Sequence, residues 1–273
     1  MVLANYSFTP LRGTSAEEVY PRCYKISAAD KDLKGYNYLP EKYLCHYLLT
    51  KGLNPPVYAF EKTGINPLKH AYKHIIDKHH IDTIILVDGG TDSLMFGDEE
   101  GLGTPLEDIC SMAAVYKTGI KKTFLVSIGF GIDHFHGVSH YRFLENIAEL
   151  MRGEGYLGSF QLLDRMEEAV FYKEAVDFVN QKMPGLESIV SNSIVSALDG
   201  HFGNVHRTRR TDGSELWINP LMTFYWCFEL AAVVKHIRYF NEIRDTNTLN
   251  ELKDKLADFR SSIDLRPSRQ LPV

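Results

Sequence analysis

The sequence has no closely spaced cysteine pair. Its four cysteines, Cys23, Cys45, Cys110 and Cys227, are scattered over 273 residues with no CxxC. A disulfide framework would need more of them and a structural zinc site a tighter spacing, so they are read as free thiols. There is no excess of basic charge either. Thirty Lys and Arg against 35 Asp and Glu leave a net charge of −5, and a nucleic-acid binder carries a basic face instead. The first residues, Met1 to Tyr6, lack the basic and apolar segments of a secretory leader. The most apolar stretch, Leu221 to Val234, is 14 residues long and contains Glu229, short of the roughly 20 a membrane span needs. The expectation is a cytoplasmic protein with no nucleic-acid or membrane partner. No G-x-S-x-G, P-loop or H-E-x-x-H stands anywhere in the chain, so no short motif names a reaction. Gly153-Glu154-Gly155-Tyr156-Leu157-Gly158 fits G-x-G-x-x-G by chance, because a helix precedes it and a strand follows.

What is present is core material. Hydrophobic residues make up 44% and aromatics 12%, more than a disordered chain holds. Strands are expected at 2–8, 82–88, 122–128, 159–163 and 214–218. Helices are expected at 41–51, 67–79 (Asn66 capping, Pro67 at N1), 105–118, 140–152, 164–182, 187–200, 221–241 and 246–263, with loop over 9–40. Strands alternating with helices read as βα units, so the fold class is α/β with a Rossmann-like, mainly parallel sheet flanked by helices. No linker or repeat divides the chain. It is read as one domain over 1–273, sheet-forming through 185 and mostly helical over 186–273, with strands 2–8, 82–88 and 122–128 side by side and parallel.

From Asp88 to Tyr116 there are 29 residues without a single Lys, Arg or His, and seven carboxylates: Asp88, Asp92, Asp98, Glu99, Glu100, Glu107 and Asp108. Gly89 and Gly90 open this window. Ligands of open α/β sheets bind beyond the carboxyl ends of strands, and this loop leaves such an end. A run of three acids usually marks a solvated face, yet their place in the loop keeps Asp98 and Glu99 among the ligand-facing candidates. Thr104-Pro105-Leu106-Glu107 spells a capping box, with Thr104 also a candidate ligand contact. Glu107 and Asp108 load that helix start with negative charge, which disfavours a bare phosphate and favours a cation or a polyhydroxylated ligand. Asp88 and Asp92 are the sharpest candidates, as ligand contacts or as holders of Mg²⁺ or Mn²⁺.

After the next strand come Gly129, Gly131, Asp133, His134, His136 and His140. If both strands share one sheet, this loop opens on the same edge, and carboxylates beside imidazoles suit acid–base work or a metal. Ser139 is expected to cap the helix that starts at His140. The candidate site is therefore Asp88, Asp133 and His136 as catalytic groups, with Gly89, Gly90, Asp92, Asp98, Glu99, Thr104, Gly129 and Gly131 around the ligand.

The run Val87-Asp88-Gly89-Gly90-Thr91-Asp92-Ser93-Leu94, with Gly97-Asp98-Glu99 and Gly101-Leu102-Gly103-Thr104-Pro105, resembles the "domain of unknown function 1152" family, known best from archaea. Gly129-Phe130-Gly131-Ile132-Asp133, His136-Gly137-Val138 and Arg266-Pro267-Ser268-Arg269 are similar to it too. The resemblance implies a Rossmann-like fold and this site, with no established activity. It also implies an earlier strand and glycine-rich, nucleotide- or phosphate-binding turn, which this sequence, starting at the strand Val2 to Phe8, lacks. The expected function is an enzyme, hydrolase or transferase, acting on a small nucleotide- or sugar-related molecule. The rivals are a non-catalytic sensor or a shortened inactive form; homo-oligomerisation is left open.

Overall fold

Short apolar runs bounded by turn residues become strands, and amphipathic runs between them become helices. The computed structural model describes residues 1–271. In chain order the elements are β1 (Leu3–Tyr6), β2 (Glu17–Tyr20), β3 (Cys23–Ile26), α1 (Pro40–Thr50), β4 (Val57–Phe60), α2 (Ile65–His79), β5 (Thr83–Asp88), α3 (Leu106–Tyr116), β6 (Lys122–Ser127), α4 (His140–Arg152), β7 (Tyr156–Gln161), α5 (Glu167–Lys182), α6 (Ile189–Leu198), β8 (Phe224–Glu229), α7 (Leu230–His236), α8 (Phe240–Ile243) and α9 (Leu249–Ser261).

The protein is α/β, but the expectation of one mainly parallel sheet is corrected. Among the described residues the strands form two mixed sheets of four, ordered β1-β4-β3-β2 and β5-β6-β8-β7. β1 runs parallel to β4, and β3 is antiparallel to both β2 and β4. β5 runs parallel to β6 in the expected way, whereas β8 is antiparallel to both β6 and β7. The strand at the start of the chain therefore does not join β5 and β6. The first sheet was hidden because β2, β3 and β4 are only four residues each, too short for a period to register.

The last third is also corrected. The apolar stretch expected as a helix over 221–241 splits into a 3-10 turn at Pro220–Thr223, strand β8 and helix α7. Phe224-Tyr225-Trp226-Cys227-Phe228 is aromatic, and such residues fit a pleated surface better than a helix. The strand expected at 214–218 reduces to one bridge between Gly203 and Ile218. No helix of the described residues is long and apolar enough to cross a membrane.

The largest core cluster draws Tyr58 and Phe60 from the first sheet, Leu125 and Phe228 from the second, and Leu68, Ile75, Ile109 and Val233 from the helices. Each fully buried Leu or Ile contributes about 1.5–3 kcal/mol. α2 starts two residues earlier than its Pro67 suggests. Gly64 sits at its N-cap, where a Cβ would come within 2.5 Å of the Asn247–Thr248 backbone. Asn66 is displaced from capping, and its amide donates to the Asp245 carbonyl instead. Ser139 does cap α4, accepting from the Arg142 amide.

The segment after α9 returns to the acidic loop. Arg266 donates to Asp98 at 2.8 and 3.0 Å, to Glu99 at 2.9 Å and to Glu145 at 2.6 Å, and Arg260 donates to the Gly97, Glu99 and Glu100 carbonyls. Glu99 is fully buried. Removing the guanidinium leaves that buried carboxylate with amide donors but no cation, so Arg266→Ala should cost about 3 kcal/mol, on the scale of a broken buried ion pair. A urea titration reads this directly, and a loss below about 0.5 kcal/mol, that of an exposed pair, would show the anchor to be dispensable.

Candidate functional site

β5 and β6 pair in register from Thr83↔Lys122 to Asp88↔Ser127. Both loops therefore leave the same edge of the sheet, and the acids of the first meet Asp133 of the second. After Asp88 the chain turns through Gly89 and Gly90 into a 3-10 turn at Asp92–Leu94. A Cβ on Gly90 would lie 2.7 Å from Asp133 Oδ2 and 3.1 Å from Asp92 Oδ1. Only glycine lets the backbone pass so close under two carboxylates. The Ser127 hydroxyl donates to the Gly90 carbonyl and pins this turn to β6.

Asp133 is 8% exposed and Asp92 4%. Asp133 accepts from the Thr91 amide (2.7 Å) and hydroxyl (3.2 Å). Asp92 accepts from the Thr104 amide (2.9 Å) and hydroxyl (3.2 Å). Asp88 differs: it is 9% exposed, and its Oδ2 has no hydrogen-bond partner among the described residues. Asp108 reaches in from the first turn of α3. One oxygen each from Asp88, Asp92 and Asp108 lie within 4.8 Å of one another. Asp88, Asp108, Ser93 and Thr104 line a cavity of about 290 Å³.

Burial and mutual repulsion govern the charges. Burial, then the charges of Asp92 and Asp133, pushes the Asp88 carboxyl up to about 8, with the neighbouring Ser93 hydroxyl and amide holding it back. Burial, then its neighbours Asp88 and Asp92, raises Asp108 well above the carboxylate range. Burial also raises Asp92, against the pull of its Thr104 hydrogen bonds. Asp133 rises to about 6 through burial and the Asp92 charge, with the Thr91 bonds holding it back. At neutral pH Asp88 therefore holds a proton that a bound cation would displace.

The structure thus brings together Asp88, Gly90, Asp92, Thr104 and Asp133. His136 is exposed beside them, near enough for its charge to lower Asp92 and Asp133. Gly89 lies under α6, where a Cβ would stand 3.1 Å from Val190. Gly129 and Gly131 have φ of +86° and +98° and shape the second loop against Met222, Trp217 and Asn219. Asp98 and Glu99 are corrected as ligand candidates. Asp98 is held by Arg266 and Arg238, and Glu99 accepts from the Phe96 and Gly97 amides, Asn146 and Arg266. The capping box is corrected too: Pro105 occupies the cap position with no side-chain cap, Thr104 serves Asp92, and Glu107 pairs with Lys62 at 2.5 Å. Asp108 was passed over as a site residue although it stood in the acidic window. Its signal was its place in a helix's first turn, which faces the carboxyl edge of the sheet. His134 and His140 turn away and line a separate cavity with Trp217 and Arg269. There burial lowers His140 to about 4.

These features define an α/β protein with a pocket of buried, mutually repelling carboxylates at the carboxyl ends of two parallel strands. The chain belongs to the family described as "Protein of unknown function (DUF1152)", which it matches over residues 16–265. Neither a curated protein nor a solved structure is found to match it.

The hydrogen-bond pattern separates two neighbouring acids by sign. Asp88→Asn removes a repelled charge with an unpartnered oxygen and should leave the metal-free protein as stable or up to about 1 kcal/mol more stable at pH 8. Asp92→Asn gives up charge-assisted bonds to Thr104 and should cost about 1–2 kcal/mol. Parallel denaturant titrations compare them, and an Asp88→Asn loss as large as that of Asp92→Asn would remove Asp88 from the site.

Proposed function

We propose that the protein is a divalent-cation-dependent enzyme acting on a small polar molecule, nucleotide- or sugar-related, by hydrolysis or group transfer. The observation that carries this reading is the convergence of Asp88, Asp92 and Asp108 oxygens within 4.8 Å around the unpartnered, nine-tenths-buried Oδ2 of Asp88. Buried charges persist where they are paired or bind a metal. An all-oxygen donor set suits Mg²⁺ or Mn²⁺, which hold few protein carboxylates and keep positions for water and substrate oxygens. The cation would polarise a substrate oxygen and offset its charge. Asp133, titrating near 6, is suited to take a proton from an attacking hydroxyl or water, and His136 at the rim to exchange protons with solvent. The cytoplasm is the compartment this reading implies.

The sign of the pH dependence follows from the raised carboxyls. Asp88 and Asp133 bind protons more tightly folded than unfolded. They stabilise the metal-free protein fully below about pH 4, and this contribution is lost as pH rises through about 6 for Asp133 and about 8 for Asp88. Metal must displace these protons, so its affinity should rise over the same interval. In a chelator-stripped sample, Mn²⁺ at 100 times its Kd should restore about 2.7 kcal/mol. At one fixed Mn²⁺ concentration the gain should be larger at pH 8 than at pH 6, and it should be absent in Asp88→Asn. A thermal midpoint indifferent to millimolar Mg²⁺ and Mn²⁺ at both pH values would sink the metal site. Turnover is then sought by product release from a panel of nucleotides and sugar phosphates with Mn²⁺; binding without turnover would favour a sensor.

A further inference from the structure

The histidine loop serves two cavities. Asp133 faces the carboxylates, while His134 and His140 line a second cavity of about 670 Å³, more than twice the 290 Å³ beside Asp88. Small-molecule sites occupy about 300–1,000 Å³ and favour the crevice beyond the carboxyl ends of strands. The opposite wall, Gly203, Asn204 and Glu215 to Trp217, comes from the segment between α6 and β8, and a third wall from Ser268 to Leu271. No residue of β1 or β5 lines this cavity, so the free edge of β5 plays no part in its shape. Its walls are fixed to one another. The Ser139 hydroxyl donates to the Arg269 carbonyl (3.0 Å) and accepts from the Arg269 amide (3.3 Å). Gly203 and Ile218 exchange backbone hydrogen bonds of 2.8 and 2.9 Å.

The lining combines aromatic rings with polar groups that the protein leaves unused. The His134 and His140 rings lie 5.3 Å apart at 31°, and both stand steeply to the Trp217 ring, at 61° and 77°. A planar π system meets such a corner by its face on one ring and by its edge on another, the two arrangements aromatic pairs prefer. His140 is buried, and its Nε2 has no partner among the described residues; a buried polar atom of this kind is matched by a ligand or a water. With its pKa near 4 the ring is neutral at pH 7 and offers one donor and one acceptor. Asn204 Oδ1 accepts from the Leu216 amide (2.8 Å), which leaves its NH₂ group as the donor for a ligand. Glu215 and Arg269 also line the cavity and are exposed. Arg269 lies over the Tyr141 ring at 5.2 Å and donates to its hydroxyl rather than to a carboxylate. A carboxylate accepts from the N–H groups on a purine's edge, and a guanidinium holds a phosphate.

We infer that this cavity holds the base of a purine nucleotide, packed against Trp217 and the imidazoles, with its edge at Glu215 and Asn204 and its first phosphate at Arg269. A lone sugar ring has no π face to set against an aromatic edge, so the corner of three rings favours a base. The two cavities stand on either side of one loop. The Val138 amide donates to the Asp133 carbonyl (3.2 Å). The Val138 side chain would lie 3.0 Å from a Cβ on Gly103, which would itself be 2.7 Å from the Asp92 side chain. One nucleotide can thus span the loop, its base on the His134 side and its terminal phosphates on the Asp133 side, crossing at the exposed His136. This narrows the proposed substrate to a purine nucleotide, and only the span to the carboxylates rests on reading them as a cation site.

The test begins in EDTA, which keeps the base cavity independent of the proposed metal. Of the chain's two tryptophans, Trp217 lines the cavity and Trp226 does not, so a stacked base should quench Trp217 fluorescence. GMP and AMP should quench it saturably and, by calorimetry, bind at least about tenfold more tightly than UMP or ribose 5-phosphate. Trp217→Leu should weaken GMP by about tenfold or more. Glu215→Gln and Arg269→Met change exposed side chains and leave the fold intact. The first should weaken GMP and guanosine alike; the second should weaken GMP by about tenfold and leave guanosine unchanged. Mn²⁺ should then strengthen the binding of GTP and not that of guanosine. The inference is overturned if neither purine nucleotide binds saturably in EDTA, if UMP or ribose 5-phosphate binds as tightly, or if the variants bind GMP as the parent does. Purine binding in EDTA that Mn²⁺ does not strengthen for GTP upholds the base cavity and overturns the cation site instead.

Discussion

The pocket depends on the parallel, in-register pairing of β5 with β6. Asp88 lies opposite Ser127, and from there both loops spring from one line across the sheet. A slip of one residue would turn every side chain of β5 to the other face, sending Asp88 away from Asp133. Ser127 secures the register from the side, because its hydroxyl holds the Gly90 carbonyl. What gathers at this line is costly. Like charges out of water repel one another and lose hydration, and the threonines at 91 and 104 offset part of that for Asp133 and Asp92. Asp88 Oδ2 has no such hydrogen bond among the described residues, and only the neighbouring Ser93 opposes its raised carboxyl, so the functional reading rests on that atom.

A second set of acids in the same loop is treated in the opposite way. Asp98 and Glu99 are supplied with donors by Arg266, Arg238, Asn146 and backbone amides. A fully satisfied network specifies one arrangement and rigidifies it. The loop is thus stiff at its far end and strained electrostatically at its near end, as a binding site on a firm scaffold requires. Backbone contact adds to the stiffness: a Cβ on Gly101 would come within 1.9 Å of the Gly137 carbonyl, so the acidic and histidine loops touch main chain to main chain.

Much of this was legible in the amino-acid sequence where a signal was long or chemically unusual. β5 and β6 announced themselves as buried apolar runs, α4 by its Ser139 cap, and the pocket by 29 residues without a basic side chain. The convergence of Asp88, Asp92 and Asp133 followed from one assumption about strand direction, which held. β2, β3 and β4 were illegible because four residues carry too little periodicity, and β8 because a stretch apolar all round is silent between helix and strand. The fate of Asp98 and Glu99 could not be read because their partner, Arg266, lies more than 160 residues away in sequence. Local pattern also misled at Thr104, whose hydroxyl serves a distant carboxylate rather than its own helix.

That distance between Glu99 and Arg266 has a consequence for how the protein is made. A chain leaves the ribosome from its first residue onward, and segments fold as they emerge. β5 and β6 can pair, and the acidic loop can approach its final place, long before residue 266 has been translated. Through that interval Glu99 has amide donors but no cation, and Asp98 lacks its bidentate clamp. The pocket is therefore locked only after the segment carrying Arg266 has been made, and a polypeptide cut short before Arg266 would carry an acidic loop without its lock.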